Sequence, residues 1–185
     1  MKQRLNKSIA RHFLVFGFLL GVSLFTFADN LQLNGIASFK ALNQEVYIAA
    51  LYLEQPADTE QKVLQADGEK RMEFRIRRNK WYKRNYTQTW ARAITINNDT
   101  ETQEAMAKYI IRFSHLPKSD LVYGDAVSIH HKPNIGSIIK INGVTLLTIK
   151  DPEFFNTAVK AWLGKRPPSS DFKQRLLVLD NDDIE

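Results

Sequence analysis

The chain has 185 residues, 26 of them basic and 20 acidic, for a net charge of +6, and it contains no cysteine. The lack of cysteine excludes disulfide bonds, thiol catalysis and cysteine-ligated metal. Residues 1–28 hold four basic residues and no acid, so the rest of the chain carries 22 basic and 20 acidic residues, a net charge of +2. The overall basicity is therefore weak evidence for nucleic-acid binding.

The first 28 residues have the pattern of a secretory signal peptide. Basic residues precede the apolar stretch Phe13–Phe27, and small residues at Thr26 and Ala28 fit a cleavage site. The apolar stretch is shorter than the about 20 residues of a membrane span. We expect cleavage near Ala28, export to the periplasm and a single domain in residues 29–185, with a frayed acidic tail from residue 180. An uncleaved N-terminal anchor is the alternative.

The stretch Val46–Leu53 predicts the strand around which the domain is built. Its eight residues carry no charge, and Glu45 and Glu54 bound it. Apolar residues on both faces favour a strand that is covered on both sides. Upstream, Asn34-Gly35 predicts a turn that leads a first strand into this one.

A short helix, a strand and two longer helices are predicted between residues 56 and 117. Asp58 is the expected cap of the short helix. Alternation of apolar and charged residues predicts a half-buried strand through Met72, Phe74 and Ile76. The first long helix should start near Asn79, because apolar residues then recur every four positions, at Tyr82, Tyr86, Trp90 and Ile94. Thr100 is the expected cap of the second.

Beyond Pro117 the pattern predicts three strands followed by two helices. Val127 and Ile129 lie on the first strand, and Asn142-Gly143 is the strongest hairpin signal between the other two. Asp151-Pro152-Glu153 is a typical helix start. The last helix carries Phe172, Leu176 and Leu177.

The sequence contains no glycine-rich phosphate loop, nucleophile elbow or zinc-protease motif. Carboxylates are scattered, and no pair is placed for acid–base catalysis. The adjacent His130 and His131 would point to opposite faces of a strand and could not hold one ion together. We therefore expect neither a metal nor a cofactor.

The segment from Lys70 to Arg84 is the most basic part of the chain. A surface of this kind could contact the anionic cell envelope. The alternative is a solvated strand face and helix exterior whose aromatic residues belong to the core. Because export is expected, we predict no nucleic-acid partner. The segment has eight basic residues: Lys70, Arg71, Arg75, Arg77, Arg78, Lys80, Lys83 and Arg84.

Several short pieces occur in a fixed order over about residues 31–179. They are Leu33-Asn34-Gly35, Val46–Leu53, Met72-Glu73-Phe74, Gly124–Val127, Pro133–Gly136, Ile141-Asn142-Gly143 and Phe154–Gly164 with Pro167-Pro168-Ser169 and Leu176-Leu177. This order resembles the exported bacterial chalcone-isomerase-like proteins. The resemblance implies an α+β fold, with a large, mostly antiparallel β-sheet, a layer of helices on one face and a cleft between the layers.

The resemblance also implies positions for a ligand site. In chalcone isomerases an arginine holds the reacting oxyanion, and a threonine and a tyrosine position a water. The arginine position falls on Phe39, next to Lys40. The threonine position falls on Tyr47, the tyrosine position near Tyr82, and a further polar position near Thr89. Phenylalanine cannot bind an oxyanion, so we expect no catalytic residue and assign Tyr47, Tyr82, Lys40 and Thr89 to ligand binding.

Non-catalytic relatives of chalcone isomerase bind fatty acids. The leading hypothesis is therefore a non-catalytic exported protein that binds an apolar, fatty-acid-like small molecule between sheet and helices. One alternative is an isomerase or intramolecular lyase of unknown substrate. Another is a cell-envelope interaction protein that uses the basic segment 70–84. The sequence does not define an oligomeric state.

Overall fold

The computed structural model describes residues 30–177, so the predicted signal peptide and the tail from residue 180 lie outside the described residues. The strands are Gln32–Ala41 (β1), Gln44–Leu53 (β2), Lys70–Ile76 (β3), Lys80–Trp81 (β4), Leu121–Val122 (β5), Ala126–Lys132 (β6), Gly136–Ile141 (β7) and Val144–Ile149 (β8). The helices are Glu60–Gln65 (α1), Lys83–Thr95 (α2), Thr100–Ser114 (α3), Phe154–Leu163 (α4) and Ser170–Leu177 (α5).

Six strands form one antiparallel sheet in the order β1-β2-β3-β6-β7-β8, and β4 pairs with β5 in a small separate sheet. The large sheet consists of two meanders, β1–β3 and β6–β8, which meet where β3 pairs with β6. Helices pack on one face, α5 against β1 and β2 and α4 against β6 and β7. The predicted α+β architecture is confirmed. Within residues 30–177, no helix is long and apolar enough to span a membrane.

Strand β2 lies between β1 and β3, as expected for the strand that organises the sheet. Its inward side chains, Tyr47, Ala49, Leu51 and Leu53, are buried. On the other face Val46 and Ala50 are buried, whereas Ile48 and Tyr52 are half-buried, so the predicted cover on both sides is only partial. Tyr52 is covered instead by a guanidinium, since Arg71 Cζ lies 4.4 Å from the centre of its ring.

The predicted turn at Asn34-Gly35 is wrong, because both residues lie inside β1 at an irregularity of its pairing with β2. The chain reverses at Leu42-Asn43, where φ is 51° and 60°. Two successive positive φ angles match the turn that suits a two-residue hairpin. The Asn-Gly pair at 142–143, by contrast, forms the predicted hairpin turn between β7 and β8.

Asn34 and Gly35 instead dock α5 onto the sheet. The buried Asn34 amide Nδ2 donates to the carbonyl oxygens of Leu176 (2.8 Å) and Ala57 (2.9 Å), and its Oδ1 accepts from the Ala57 N–H (2.7 Å). A Cβ at position 35 would lie 2.3 Å from the Arg175 carbonyl oxygen. Only glycine lets the α5 backbone approach β1 this closely.

Helix starts differ from prediction by one to a few residues. Thr59, not Asp58, caps α1, since its hydroxyl accepts from the Lys62 N–H. Asp99, not Thr100, caps α3 through the Thr102 N–H. Helix α2 begins at Lys83 rather than near Asn79, because the intervening residues pair as β4 with β5.

Candidate functional site

The space between sheet and helices is filled by an aromatic cluster around Tyr47. Phe74 and Trp90 are also at its centre, with ring centroids 4.9 Å apart. Rings from α2, α4 and α5 pack against it, so the inner end of the predicted cleft is filled with side chains. The rings around Tyr47 are Phe39 (5.2 Å), Phe74 (5.7 Å), Trp90 (5.7 Å), Trp81 (5.9 Å) and Phe172 (6.1 Å).

Burial raises the pKa of Tyr47, with a smaller opposing effect from the Trp162 indole. Burial also raises the pKa of Tyr86 well above its usual value. Both phenols are thus neutral at physiological pH. The Tyr86 hydroxyl and the Trp90 indole nitrogen are buried and have no hydrogen-bond partner in the described part of the chain. Such unsatisfied polar atoms destabilise a fold.

Tyr86→Phe is expected to raise the free energy of unfolding by about 1 kcal/mol, because it removes a buried hydroxyl that makes no hydrogen bond. Above about pH 10 the unfolded chain loses the Tyr86 proton and the folded chain keeps it, so wild-type stability falls and the variant falls less steeply. Urea unfolding at pH 7 and pH 10.5 measures both effects. Tyr123→Phe is the control, since the Tyr123 hydroxyl accepts from Arg77 (2.7 Å) and its loss should bring no gain. A loss of stability in Tyr86→Phe contradicts the prediction.

An open groove of about 600 Å³ lies at the edge of the sheet, between β1 and the start of α5; we call it the β1–α5 groove. Its walls are apolar and polar in nearly equal parts, and two basic side chains stand in it. The Phe39 ring forms part of the wall and contacts Tyr47 behind it. The lining residues are Ile36, Ala37, Ser38, Phe39, Lys40, Ile48, Pro168, Ser169, Asp171 and Arg175.

Lys40 and Arg175 differ in their electrostatic setting. Arg175 Nε lies 3.2 Å from the Asp171 carboxylate, one helical turn earlier on α5. Lys40 is exposed and forms no ion pair within 4.0 Å among residues 30–177. Hydrogen bonds from the Ser38 hydroxyl (2.6 Å) and from Arg77 (2.9 Å) lower the pKa of the nearby Glu45 carboxyl, which is therefore ionised and already engaged. Lys40 also lowers the pKa of Glu45, but by the smallest of these effects and without contact, so it is the basic group of the groove that has no carboxylate in contact.

The structure does not bring the four predicted ligand residues together. Lys40 lines the β1–α5 groove, and Tyr47 lies one ring behind it. Tyr82 precedes α2, is 55% exposed and carries Lys80 Nζ 5.0 Å above its ring. Thr89 is half-buried on α2. Neither Tyr82 nor Thr89 lines the groove, and the ligand-binding roles of all four stay predictions.

Sequence reasoning missed Asp171 and Arg175. Their spacing of four residues on a predicted helix indicates an ion pair on one face. Nothing in that spacing indicates which strand the helix packs against. The contact with β1 depends on Asn34 and Gly35, more than 130 positions earlier in the chain.

The basic segment 70–84 is spread over several surfaces. Lys70 is buried beneath the helices, whereas Arg75 is exposed on the opposite face of the sheet. Arg77 pairs with Glu45 (2.9 Å), and Lys80 pairs with Asp120 (3.0 Å). Contact with an anionic envelope surface stays a prediction.

The two adjacent histidines point to opposite faces of β6, as predicted. His131 is in register with Lys70 on the helix-covered face, and the ring of His130 bonds to Glu69 (2.8 Å) on the other. Residues 30–177 contain no group of three or more histidine or carboxylate side chains arranged to hold a metal ion.

Comparison with known proteins supports the architecture. A fatty-acid-binding protein from Arabidopsis thaliana, known from its crystal structure, superposes with a TM-score of 0.61 at 12% sequence identity. The match covers 81% of this chain and 88% of that protein. A search of curated proteins gives no match. The model of the family described as chalcone isomerase-like matches residues 21–178. The chain therefore belongs to the chalcone isomerase-like family.

Proposed function

We propose that this protein is a non-catalytic binding protein for an apolar molecule that carries a carboxylate, such as a fatty acid. The observation that carries the proposal is the β1–α5 groove, which places two basic side chains beside the apolar Ile36 and Ile48. Its volume of about 600 Å³ lies in the range of small-molecule sites. The fatty-acid-binding protein of the same fold is consistent with this ligand class.

The proposed ligand lies with its apolar part along Ile36, Ile48 and Pro168 and its carboxylate toward Lys40 and Arg175. Asp171 competes for Arg175 because the two already form an ion pair. Lys40 would therefore contribute the larger share of the attraction for a carboxylate.

A role without catalysis follows from the residue at position 39. The resemblance to chalcone isomerases places their oxyanion-binding arginine there, and a phenyl ring offers no hydrogen-bond donor. Loss of one oxyanion donor typically lowers a rate about 10²–10³-fold. The Phe39 ring also packs on Tyr47 at 5.2 Å, so the position serves packing in this chain.

Export belongs to the same proposal. The basic, apolar and small-residue order of residues 1–28 supports a cleaved signal peptide and a periplasmic location. Cell fractionation with N-terminal sequencing of the purified protein tests this. A protein recovered from the cytoplasm with residue 1 intact contradicts it.

Lys40→Glu is expected to weaken binding of a fluorescent long-chain carboxylic acid about tenfold, because it replaces the attracting charge by a repelling one. Fluorescence titration of the purified domain measures the dissociation constant. Lys118→Glu makes the same charge change at an exposed lysine that does not line the groove, and it should bind like wild type.

The matching long-chain alcohol separates charge from apolar contact. It should bind wild type and Lys40→Glu equally, since it carries no carboxylate. Wild-type protein that binds neither probe contradicts the proposed function. Equal weakening by Lys40→Glu and Lys118→Glu contradicts the placement of the carboxylate near Lys40.

A further inference from the structure

A polar row crosses one end of the helix-covered face of the sheet. Lys70 on β3 is in register with His131 on β6, and His131 is in register with Ser137 on β7. We call these three residues the polar row. The next row inward is wholly apolar and consists of Met72, Ile129 and Ile139.

Lys70 brings a positive charge into this row without a negative partner in contact. Its side chain is 3% exposed, and Nζ donates to two neutral oxygens, Asn156 Oδ1 (3.1 Å) and the Val63 carbonyl (3.4 Å). The Phe155 ring covers it, 5.4 Å away. No carboxylate of residues 30–177 lies within 4.0 Å of Nζ. A buried ammonium without a contacting counter-ion is costly.

The other two members leave polar atoms unused. Ser137 is 0% exposed, and its Oγ makes no hydrogen bond. His131 Nδ1 is buried and likewise makes none. Residues in direct register on neighbouring strands have Cα atoms about 5 Å apart, so one oxygen atom between them could bond both. Each unmade bond is unfavourable, and two in one row call for an occupant.

We infer that the polar row binds a small carboxylate such as acetate. The site offers the third N–H of Lys70, the Ser137 hydroxyl and a His131 ring N–H, and an ionised carboxylate accepts at about four positions. The negative charge also supplies a counter-ion in contact with Lys70, on which Glu153 and Asp67 act only from farther away. A cation is repelled by Lys70, and a water molecule could bond Ser137 and His131 but not neutralise the charge.

This site is distinct from the β1–α5 groove. Leu53 is the residue of β2 in register with Lys70, and Tyr47, next to the groove, lies six residues earlier. At 3.3 Å per residue that separation is about 20 Å along the strand. Helices α1 and α4 cover the polar row through Val63 and Phe155, whereas α5 borders the groove. The inference therefore does not depend on the proposed function.

Acetate titration of the purified domain, at constant ionic strength with chloride as the balancing anion, tests the inference. Wild type should show saturable shifts of the His131 ring resonances in NMR spectra and a higher unfolding temperature in acetate than in chloride. Ser137→Ala removes one donor with almost no change of volume, and it should weaken acetate binding about tenfold. Lys70→Met should abolish it, whereas Lys62→Met, at an exposed lysine, should leave it unchanged.

Three results would overturn the inference. The first is the absence of saturable acetate shifts in folded wild-type protein, which would mean that the polar row binds water and not a carboxylate. The second is equal acetate affinity in Ser137→Ala and wild type. The third is inorganic phosphate binding as tightly as acetate, because that would remove the preference for a carboxylate. Should Lys70→Met fail to fold, the comparison of Ser137→Ala with wild type still decides the matter.

Discussion

Phe74→Ala is expected to lower the free energy of unfolding by about 3–5 kcal/mol, the usual cost of removing a fully buried aromatic ring. Phe74 is fully buried on β3. The cavity cannot collapse easily, because neighbours on β2, β4, α2 and α4 hold one another in place. Urea unfolding followed by circular dichroism measures the loss. The rings around Phe74 are Trp90 (4.9 Å), Tyr47 (5.7 Å), Trp162 (5.8 Å), Tyr86 (6.3 Å) and Trp81 (6.5 Å).

Ile111→Ala is the control for this prediction. Ile111 is also a large apolar residue, but it is 59% exposed on α3. Its truncation should change stability by less than about 0.5 kcal/mol. A loss below about 1 kcal/mol in Phe74→Ala would mean that the aromatic cluster repacks, and the description of it as a closely fitted core would be wrong.

Asn34→Ala is expected to cost about 3 kcal/mol, because it leaves one buried N–H and two carbonyl groups without their partner. The contact with Leu176 holds the end of α5 on β1, so the variant should also loosen one wall of the β1–α5 groove. We expect weaker binding of the long-chain carboxylic acid in the same titration that is used for Lys40→Glu. Urea unfolding gives the change in stability.

Asn97→Ala provides a closely matched control. The Asn97 side chain also makes three hydrogen bonds, to Ala93 and Arg166, but it is only half-buried. Water can replace the lost bonds there, so the cost should be less than half of that of Asn34→Ala. Equal losses in the two variants would mean that burial does not set the cost. Unchanged ligand affinity in Asn34→Ala would separate α5 docking from the groove.

Local pattern was enough to locate most of the fold. Val46–Leu53 has no charge over eight residues, and such a stretch strongly favours an interior strand of a sheet. The four-residue spacing of Tyr86, Trp90 and Ile94 predicted the buried face of α2, which the structure confirms. Tyr82 has the same spacing but is exposed, because it lies between β4 and α2 and is not part of the helix.

Asn34-Gly35 shows why other features could not be read from local pattern. The same dipeptide forms a hairpin turn at 142–143 and a docking point for α5 at 34–35. The two sites differ because Asn34 hydrogen-bonds to Leu176, 142 positions away along the chain. A rule based on neighbouring residues cannot predict that contact. The groove was missed for the same reason: the resemblance identified Lys40 on β1, but Arg175 joins it only once α5 has packed.

The division of the sheet into two consecutive meanders has a consequence for folding. Pairings within each meander are local in sequence, whereas the β3–β6 junction must wait for about 50 intervening residues, including α2 and α3, to be placed. Until that junction forms, β3 and β6 are unpaired edge strands of the two halves, and the backbone groups that later join them are open to other chains. These two strands carry the apolar residues Met72, Phe74, Val127 and Ile129, all of which are buried in the folded domain. Aggregation is therefore most favoured before the two halves of the sheet join, through the exposed β3 and β6. The outer strands β1 and β8, which stay unpaired on one side in the native state, contribute less to it.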